Sequence, residues 1–405
     1  MSHVHQRRSG HKHAGRGRVL SSRVNTPWAV AMAAAAVTAM LITSGVVRAE
    51  VRAGIVLSLT GTGASTGLLF KNVLTFAPLE IGGEKIRYYV VDSGSDPAKA
   101  AQVARRLITQ DKVDILLGDT TAPAATAMTP VAAELQTLQI DEPPLSVDPS
   151  KADWTVQVAP SANLWMDTIL EHMQARSIKT VAFIGFSDTW GDQCYASLTR
   201  HAARYGVTVV ADERYARTET SVEAQVDRLL HTNPTAVFVG TSTIIGAMPD
   251  VSLRKRGYRG MIYNTPGILV PEFAKLGAAV EGAVAPAGPG AYADQLPASH
   301  PSRAPGLKFI AAYEAVYGKG SANTPAGNGA DLIHIFSDII ERALKTGIKP
   351  GTAAFRSTVR DAAFSTRELA GVNGVYTFLP GRLSGLDERA IVLVQLSGGQ
   401  WKVLR

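Results

Sequence analysis

Residues Val56 to Gly67 read VLSLTGTGASTG, a short apolar segment that runs straight into three glycines with hydroxyl residues between them. A buried strand that opens into a glycine-rich turn before a helix is the first unit of an open α/β sheet, whose ligands bind beyond the carboxyl ends of the strands. Two chemistries are open at this point. The loop could cradle the pyrophosphate of a dinucleotide, or it could bring the backbone close to some other ligand. Its glycines, at 61, 63 and 67, are spaced GxGxxxG rather than GxGxxG, and Asp92 stands a little late to be the acid that meets a ribose.

Downstream, short apolar runs ending in Gly, Asp or Ser recur as expected buried parallel strands. They are Gly54 to Leu59, Ile86 to Val91, Val113 to Leu117, Thr180 to Ile184, Val207 to Val210, Ala236 to Val239 and Gly260 to Tyr263. Helix-length amphipathic segments lie between them. AKAAQVARRLITQ, Ala98 to Gln110, follows Asp96-Pro97, an N-cap with proline at the first helical position. SVEAQVDRLLHTN, Ser221 to Asn233, opens on a serine and stops at Pro234. Within APAATAMTPVAAE, Pro130 reads as a fresh helix start.

This alternation predicts a doubly wound α/β fold, with too many units for one sheet. Three strands precede the Pro-rich IDEPPLSVDPS, Ile140 to Ser150, and four follow it, so two similar lobes are expected. A Gly/Pro-rich run from Ala285 to Gly306 then gives way to two helices and a β-rich tail, in which Gly398-Gly399 reads as a hairpin turn.

The 405 residues are 46% hydrophobic and 19% charged, a globular balance. A net charge of +7 would raise nucleic acid or an anionic membrane as partners, but its location argues otherwise. Residues 1–49 hold Arg7, Arg8, Lys12, Arg16, Arg18, Arg23 and Arg48 and no acid; removing these seven from 41 leaves 34 basic against 34 acidic residues. No nucleic-acid partner is expected.

The same segment has a basic region, an apolar run from Trp28 to Ile42, and Val47-Arg48-Ala49, the three parts of a secretory signal. The run is shorter than the roughly 20 residues that span a bilayer. Cleavage after Ala49 and a periplasmic location are expected. His3, His5, His11 and His13 read as solubilising residues of this leader. Cys194 is the single cysteine, so the mature protein has no internal disulfide, and the residue is expected in the core.

The strand ends supply the candidate site. They carry Thr60 to Gly67, Asp92 to Asp96, Asp119 to Pro123, Phe186 to Gly191, Thr241 to Ile244 and Asn264 to Gly267, which offer hydroxyls, amides and one tryptophan. Asp92 and Asp96 read as turn and cap residues, while the helix start after Thr121 attracts an anion. His172, His201, His231, His300 and His334 stand in no metal-ligand spacing, and there is no GxSxG elbow, GxxxxGK[ST] loop or Cys/His pair. No cofactor, metal or catalytic role is expected. An exported dehydrogenase would also lack a supply of its cofactor.

In their order and spacing, the export signal, IVLSLTGTGASTG, VVDSGSDPAKAAQVARRLI, DKVDILLGDTTAPAATAMTPVAAE, AFIGFSDTWGDQ and AAVEGAV resemble the substrate-binding proteins of ABC importers, in the leucine/isoleucine/valine-binding branch. The resemblance covers nearly all of residues 50–405. It implies a periplasmic binding protein type I fold: two doubly wound α/β lobes joined by a three-segment hinge, with a small-molecule ligand in the cleft between them. It further implies an ABC permease as partner and a monomeric state. The lobes would be 50–160 with 289–372, and 161–288 with 373–405.

Carried over residue by residue, the resemblance places ligand contacts at Thr66, at Thr121 and the Ala122 amide, and at Ser146. On the second lobe it places them at Trp190 as an aromatic wall, at Ser242, and at Asn264 and Thr265. The acid with which the family pairs an amino-acid ammonium falls near Pro266, where no carboxylate stands. A buried ammonium without a partner is costly, so the expected ligand is an aromatic or other amine-free carboxylate. A sensor module of the same fold and a dinucleotide-dependent enzyme are the alternative readings.

Overall fold

A computed structural model describes residues 50–145, 147–148 and 152–404; the expected leader and Ser146 lie outside the described residues. In the first lobe, β1 (Val51–Leu57), β2 (Glu80–Ile81), β3 (Glu84–Asp92), β4 (Ile115–Leu117), β5 (Leu138–Asp141) and β6 (Thr155–Gln157) form one sheet in the order β2-β3-β1-β4-β5-β6. The chain then builds β7 (Thr180–Phe186), β8 (Thr208–Tyr215), β9 (Ala236–Gly240), β10 (Met261–Asn264) and β11 (Val284–Ala287). A two-stranded ribbon follows, β12 (Leu369–Ala370) with β13 (Val375–Tyr376), and then β14 (Val392–Ser397) and β15 (Gln400–Val403). The second sheet runs β15-β14-β11-β10-β9-β7-β8.

The central strands pair in parallel, β1 with β3 and β4, and β9 with β7 and β10. Helices cover both faces of such sheets, which is why ILL in β4 and AVFVG in β9 are buried at every position. Each sheet has its own core. Ile55, Leu117, Phe336 and Phe355 belong to the first; Trp165, Phe183, Phe238 and Tyr263 belong to the second. Cys194 is buried in the second core, as its sequence context suggested.

Several elements differ from the sequence expectation. The strands β5, β6 and β11 escape periodicity because they are short and two of them flank or contain proline. β8 runs on to Tyr215, five residues past its expected end at Val210. The helix Ala122–Glu134 passes unbroken through Pro130, so that proline does not start a new helix. Its buried side, including Ala125, Met128 and Ala132, holds it against the sheet despite one missing N–H.

Val375 to Ala390, expected in the second lobe, stays with the first: Tyr376, Phe378, Leu386 and Ala390 join its core, and the chain enters the second sheet only at β14. The cause is Asp331, whose carboxylate accepts the Val372 N–H at 2.5 Å, the Asn373 N–H at 2.7 Å and the Tyr376 hydroxyl at 2.8 Å. The hairpin at Gly398-Gly399 forms as read, with φ of 62° and 75°.

Candidate functional site

The opening loop shows what its glycines do. After β1 the chain makes a tight turn over Gly61–Gly63 and enters the helix Ala64–Val73. A Cβ on Gly67 would lie 2.0 Å from the Ser58 carbonyl oxygen, and one on Gly63 would lie 2.4 Å from Thr121 Cγ2. The glycines therefore let this turn close onto the end of β1 and onto the loop after β4. Asp92 holds the turn from the side by accepting the Thr60 hydroxyl at 2.6 Å, the Gly94 N–H at 2.8 Å and the Leu59 N–H at 2.9 Å. Asp96 accepts the Lys99 N–H at 2.9 Å and caps the helix Pro97–Thr109.

Beneath the loop sits Asp119, fully buried. It accepts the Ser93 hydroxyl at 2.5 Å, the Ser58 hydroxyl at 2.7 Å and the Thr121 N–H at 2.9 Å, so one carboxylate ties three strand ends together. Burial pushes its carboxyl above the usual range even though these donors pull the other way. This group also engages Thr121: its hydroxyl lies 3.3 Å from Asp119 and 3.4 Å from Ser58. Ala122, the first residue of the helix Ala122–Glu134, lines the cleft beside it.

A narrow cleft with a cavity volume of about 70 Å³ lies between the lobes. Of the residues expected at the site, Thr66, Thr121, Ala122, Trp190 and Ser242 line it together. Ser146 lies outside the described residues. Asn264 and Thr265 do not line it. Asn264 is fully buried and donates its amide to Asp250 at 3.0 Å, while the Thr265 hydroxyl donates to the Thr241 carbonyl at 2.5 Å and accepts the Gly267 N–H. Their side chains tie β10 to its own lobe; Pro266 and Gly267 are the residues of that turn that reach the cleft.

Trp190 is placed by Asp188, which caps the helix Thr189–Ala202 through the Trp190 and Gly191 N–H groups. Its indole N–H donates to the Thr241 carbonyl at 3.1 Å, leaving the ring as a wall. Asp188 also pairs with Arg217 at 2.5 Å. Arg217 stacks over Phe186, 4.1 Å from the ring centroid, and donates from Nη1 to the Ser242 hydroxyl at 3.1 Å. Among the described residues its Nη2 has no hydrogen-bond partner.

Four cleft residues of consequence were not among the expected contacts. Arg217 stands two residues beyond the true end of β8, and would have joined the strand-end candidates had that strand been read to Tyr215. Trp165, from the helix Ala162–Ala175, and Thr120 line the cleft, and among the described residues the Trp165 indole N–H and the Thr120 hydroxyl have no partner. Glu142 directly follows β5 in the Pro-rich stretch that separates the two groups of expected strands. It accepts the Asn328 amide at 2.8 Å, and burial pushes its carboxyl up to about 7, the Asn328 bond opposing.

All three passages between the lobes border the cleft: Ala159–Pro160, Pro286–Gly288, and Ile391 before β14. The lobes also touch beside it. The Thr243 hydroxyl donates to the Thr62 carbonyl of the opening loop at 3.2 Å, and the Gln193 amide donates to the Leu145 carbonyl at 3.0 Å. Among the described residues, no helix is long and apolar enough to cross a membrane.

Residues 50–399 match the family described as periplasmic binding protein. No curated protein matches the chain in sequence. Among solved structures, an extracellular ligand-binding receptor from Rhodopseudomonas palustris HaA2 is 36% identical, with a TM-score of 0.86 over 88% of this chain and 100% of that one. A leucine binding protein from Thermotoga maritima shares the fold at 19% identity, with a TM-score of 0.74 over 88% of this chain and 98% of the other. So does an ABC transporter solute binding protein from R. palustris in complex with benzoate, at 18% identity and a TM-score of 0.74 over 88% and 95% of the two chains.

Proposed function

The chain belongs to the periplasmic binding protein family, and from that premise we propose that it is the solute-binding protein of an ABC importer. It captures a small organic anion, an aromatic or other amine-free carboxylate, between its lobes and delivers it to a permease. Members of the family are solute-binding proteins rather than enzymes. The observation that carries the anion is the surplus of donors in the cleft that have no acceptor among the described residues: Arg217 Nη2, the Trp165 indole N–H and the Thr120 hydroxyl, the last two buried. Buried donors of this kind find partners, and a bound carboxylate supplies them. Trp190 and the prolines around it favour an apolar or aromatic body.

The lack of a carboxylate near Pro266 no longer suffices to exclude amino acids, because Glu142 enters the same cleft from the opposite lobe. Arg217 now bears the weight of the anion reading. Because the ligand touches both lobes, it stabilises the closed arrangement of the three passages, which act as a hinge. A thermal-shift screen tests this. Benzoate- or cinnamate-like acids are expected to stabilise the protein with micromolar affinity, about −8 kcal/mol, and leucine to do little; the reverse order would refute the reading. At 100 times its dissociation constant a ligand adds about 2.7 kcal/mol.

A sensing role without transport is the second reading. It is favoured by the description of the more similar R. palustris structures as extracellular ligand-binding receptors. Permease and ATPase genes beside this one support transport; a kinase gene alone supports sensing.

A further inference from the structure

The polar groups of the cleft fall into two sets. Arg217 and Thr121 also line a second opening with Thr62, Ser95 and Asp188, which places them at the rim, beside the opening loop. Glu142, Asn328 and Asn373 lie at the back, near Pro160 and Gly288, where the chain passes between lobes. The back set is built as a unit. Asn373 donates to Asn328 Oδ1 at 2.6 Å, Asn328 donates to Glu142 Oε1 at 2.8 Å, and Gly290 N–H donates to Asn373 Oδ1 at 3.2 Å. The second carboxylate oxygen, Oε2, has no hydrogen-bond partner among the described residues, and no cation there pairs with Glu142.

We infer that Glu142 is a specificity-determining residue, whose free carboxylate oxygen accepts a hydroxyl at the end of the ligand remote from its carboxylate. The inference rests on the anion reading above, since it takes Arg217 and the Ala122 amide to hold the other end. Its chemistry follows from what surrounds Glu142. The neighbouring ionisable groups on its own lobe are Asp119, Asp141 and the Tyr376 phenol, and Arg217 belongs to the rim on the other lobe. Apart from Arg217 these are acidic, and they resist a negative Glu142. A ligand hydroxyl gives the ionised form the donor it lacks. An α-amino acid cannot serve in this way, because its ammonium sits beside its carboxylate, at the rim.

The test compares matched acids: benzoate with 3- and 4-hydroxybenzoate, and cinnamate with 4-hydroxycinnamate. They are titrated calorimetrically into the wild-type chain, Glu142→Gln and Glu142→Ala. A hydrogen bond to a charged acceptor predicts that one hydroxylated acid binds the wild type at least about tenfold tighter than its parent at about pH 8.5. The ratio falls at about pH 5.5, where Glu142 is protonated. In Glu142→Gln the ratio loses its pH dependence. In Glu142→Ala it drops to about one, while the parent acids still bind. A hydroxyl preference that survives unchanged in Glu142→Ala, or no preference in the wild type, overturns the role of Glu142 and leaves the anion reading intact. Failure of every acid to bind the wild type overturns both.

Discussion

Replacing Arg217 by alanine isolates the interaction on which the ligand reading turns. The guanidinium lines the cleft, anchored by Asp188 at 2.5 Å and Ser242 at 3.1 Å, with Nη2 free. A hydrogen bond between a cation and a carboxylate contributes about 1.5–3 kcal/mol, so Arg217→Ala should weaken binding of an aromatic carboxylate by roughly 10- to 150-fold. Arg217→Lys, which keeps the charge but not the planar fork, should fall between. Stability responds separately, because the substitution leaves Asp188 without its cation. Asp188 still caps its helix through two N–H groups, so the loss on unfolding in urea should be about 1 kcal/mol. Calorimetric titration with the wild type as reference separates the two effects. Affinity within twofold of the wild type for every carboxylate that binds would show that Arg217 does not hold the anion.

Other substitutions test the remaining parts. Trp165→Phe keeps the ring but deletes an indole N–H that has no acceptor among the described residues; carboxylate affinity should fall by about tenfold while ligand-free stability holds or rises. Asp250, fully buried with one oxygen unpartnered among the described residues, has its carboxyl pushed up by burial to about 7 against the Asn264 bond. Because the folded value lies above the unfolded one, stability drains away as pH rises from about 4 to 7. Asp250→Asn should flatten that loss, by about 2–3 kcal/mol between melts at about pH 5 and pH 8. Gly67→Ala would drive a Cβ to 2.0 Å from the Ser58 carbonyl oxygen, so a loss of about 1–3 kcal/mol in urea unfolding is expected.

The sheets were legible where strands are apolar throughout. β1, β4, β7 and β9 show themselves as buried runs because helices cover both of their faces. What escaped reading has physical causes. β11 contains Pro286, and the segment that follows β13 looks like part of a terminal hairpin, yet it is held on the first lobe by the buried carboxylate of Asp331, a long-range bond that no local pattern announces. At the site, the residues after β1, β4, β7 and β9 could be named because strand ends face the cleft. Arg217 was lost with the misplaced end of β8, and Glu142 with β5. Trp165 sits on a helix, so strand-end reasoning could not reach it. Asn264 and Thr265 stand at a strand end as well, but their amide and hydroxyl are consumed within their own lobe.

The most direct measurement is calorimetric titration of the wild-type protein with an aromatic carboxylate and with its methyl ester, which keeps the ring and shape but not the charge. A carboxylate gripped by Arg217 between the lobes predicts micromolar binding of the acid and loss of most of that affinity in the ester. Equal binding of acid and ester, or leucine binding more tightly than either, would contradict it.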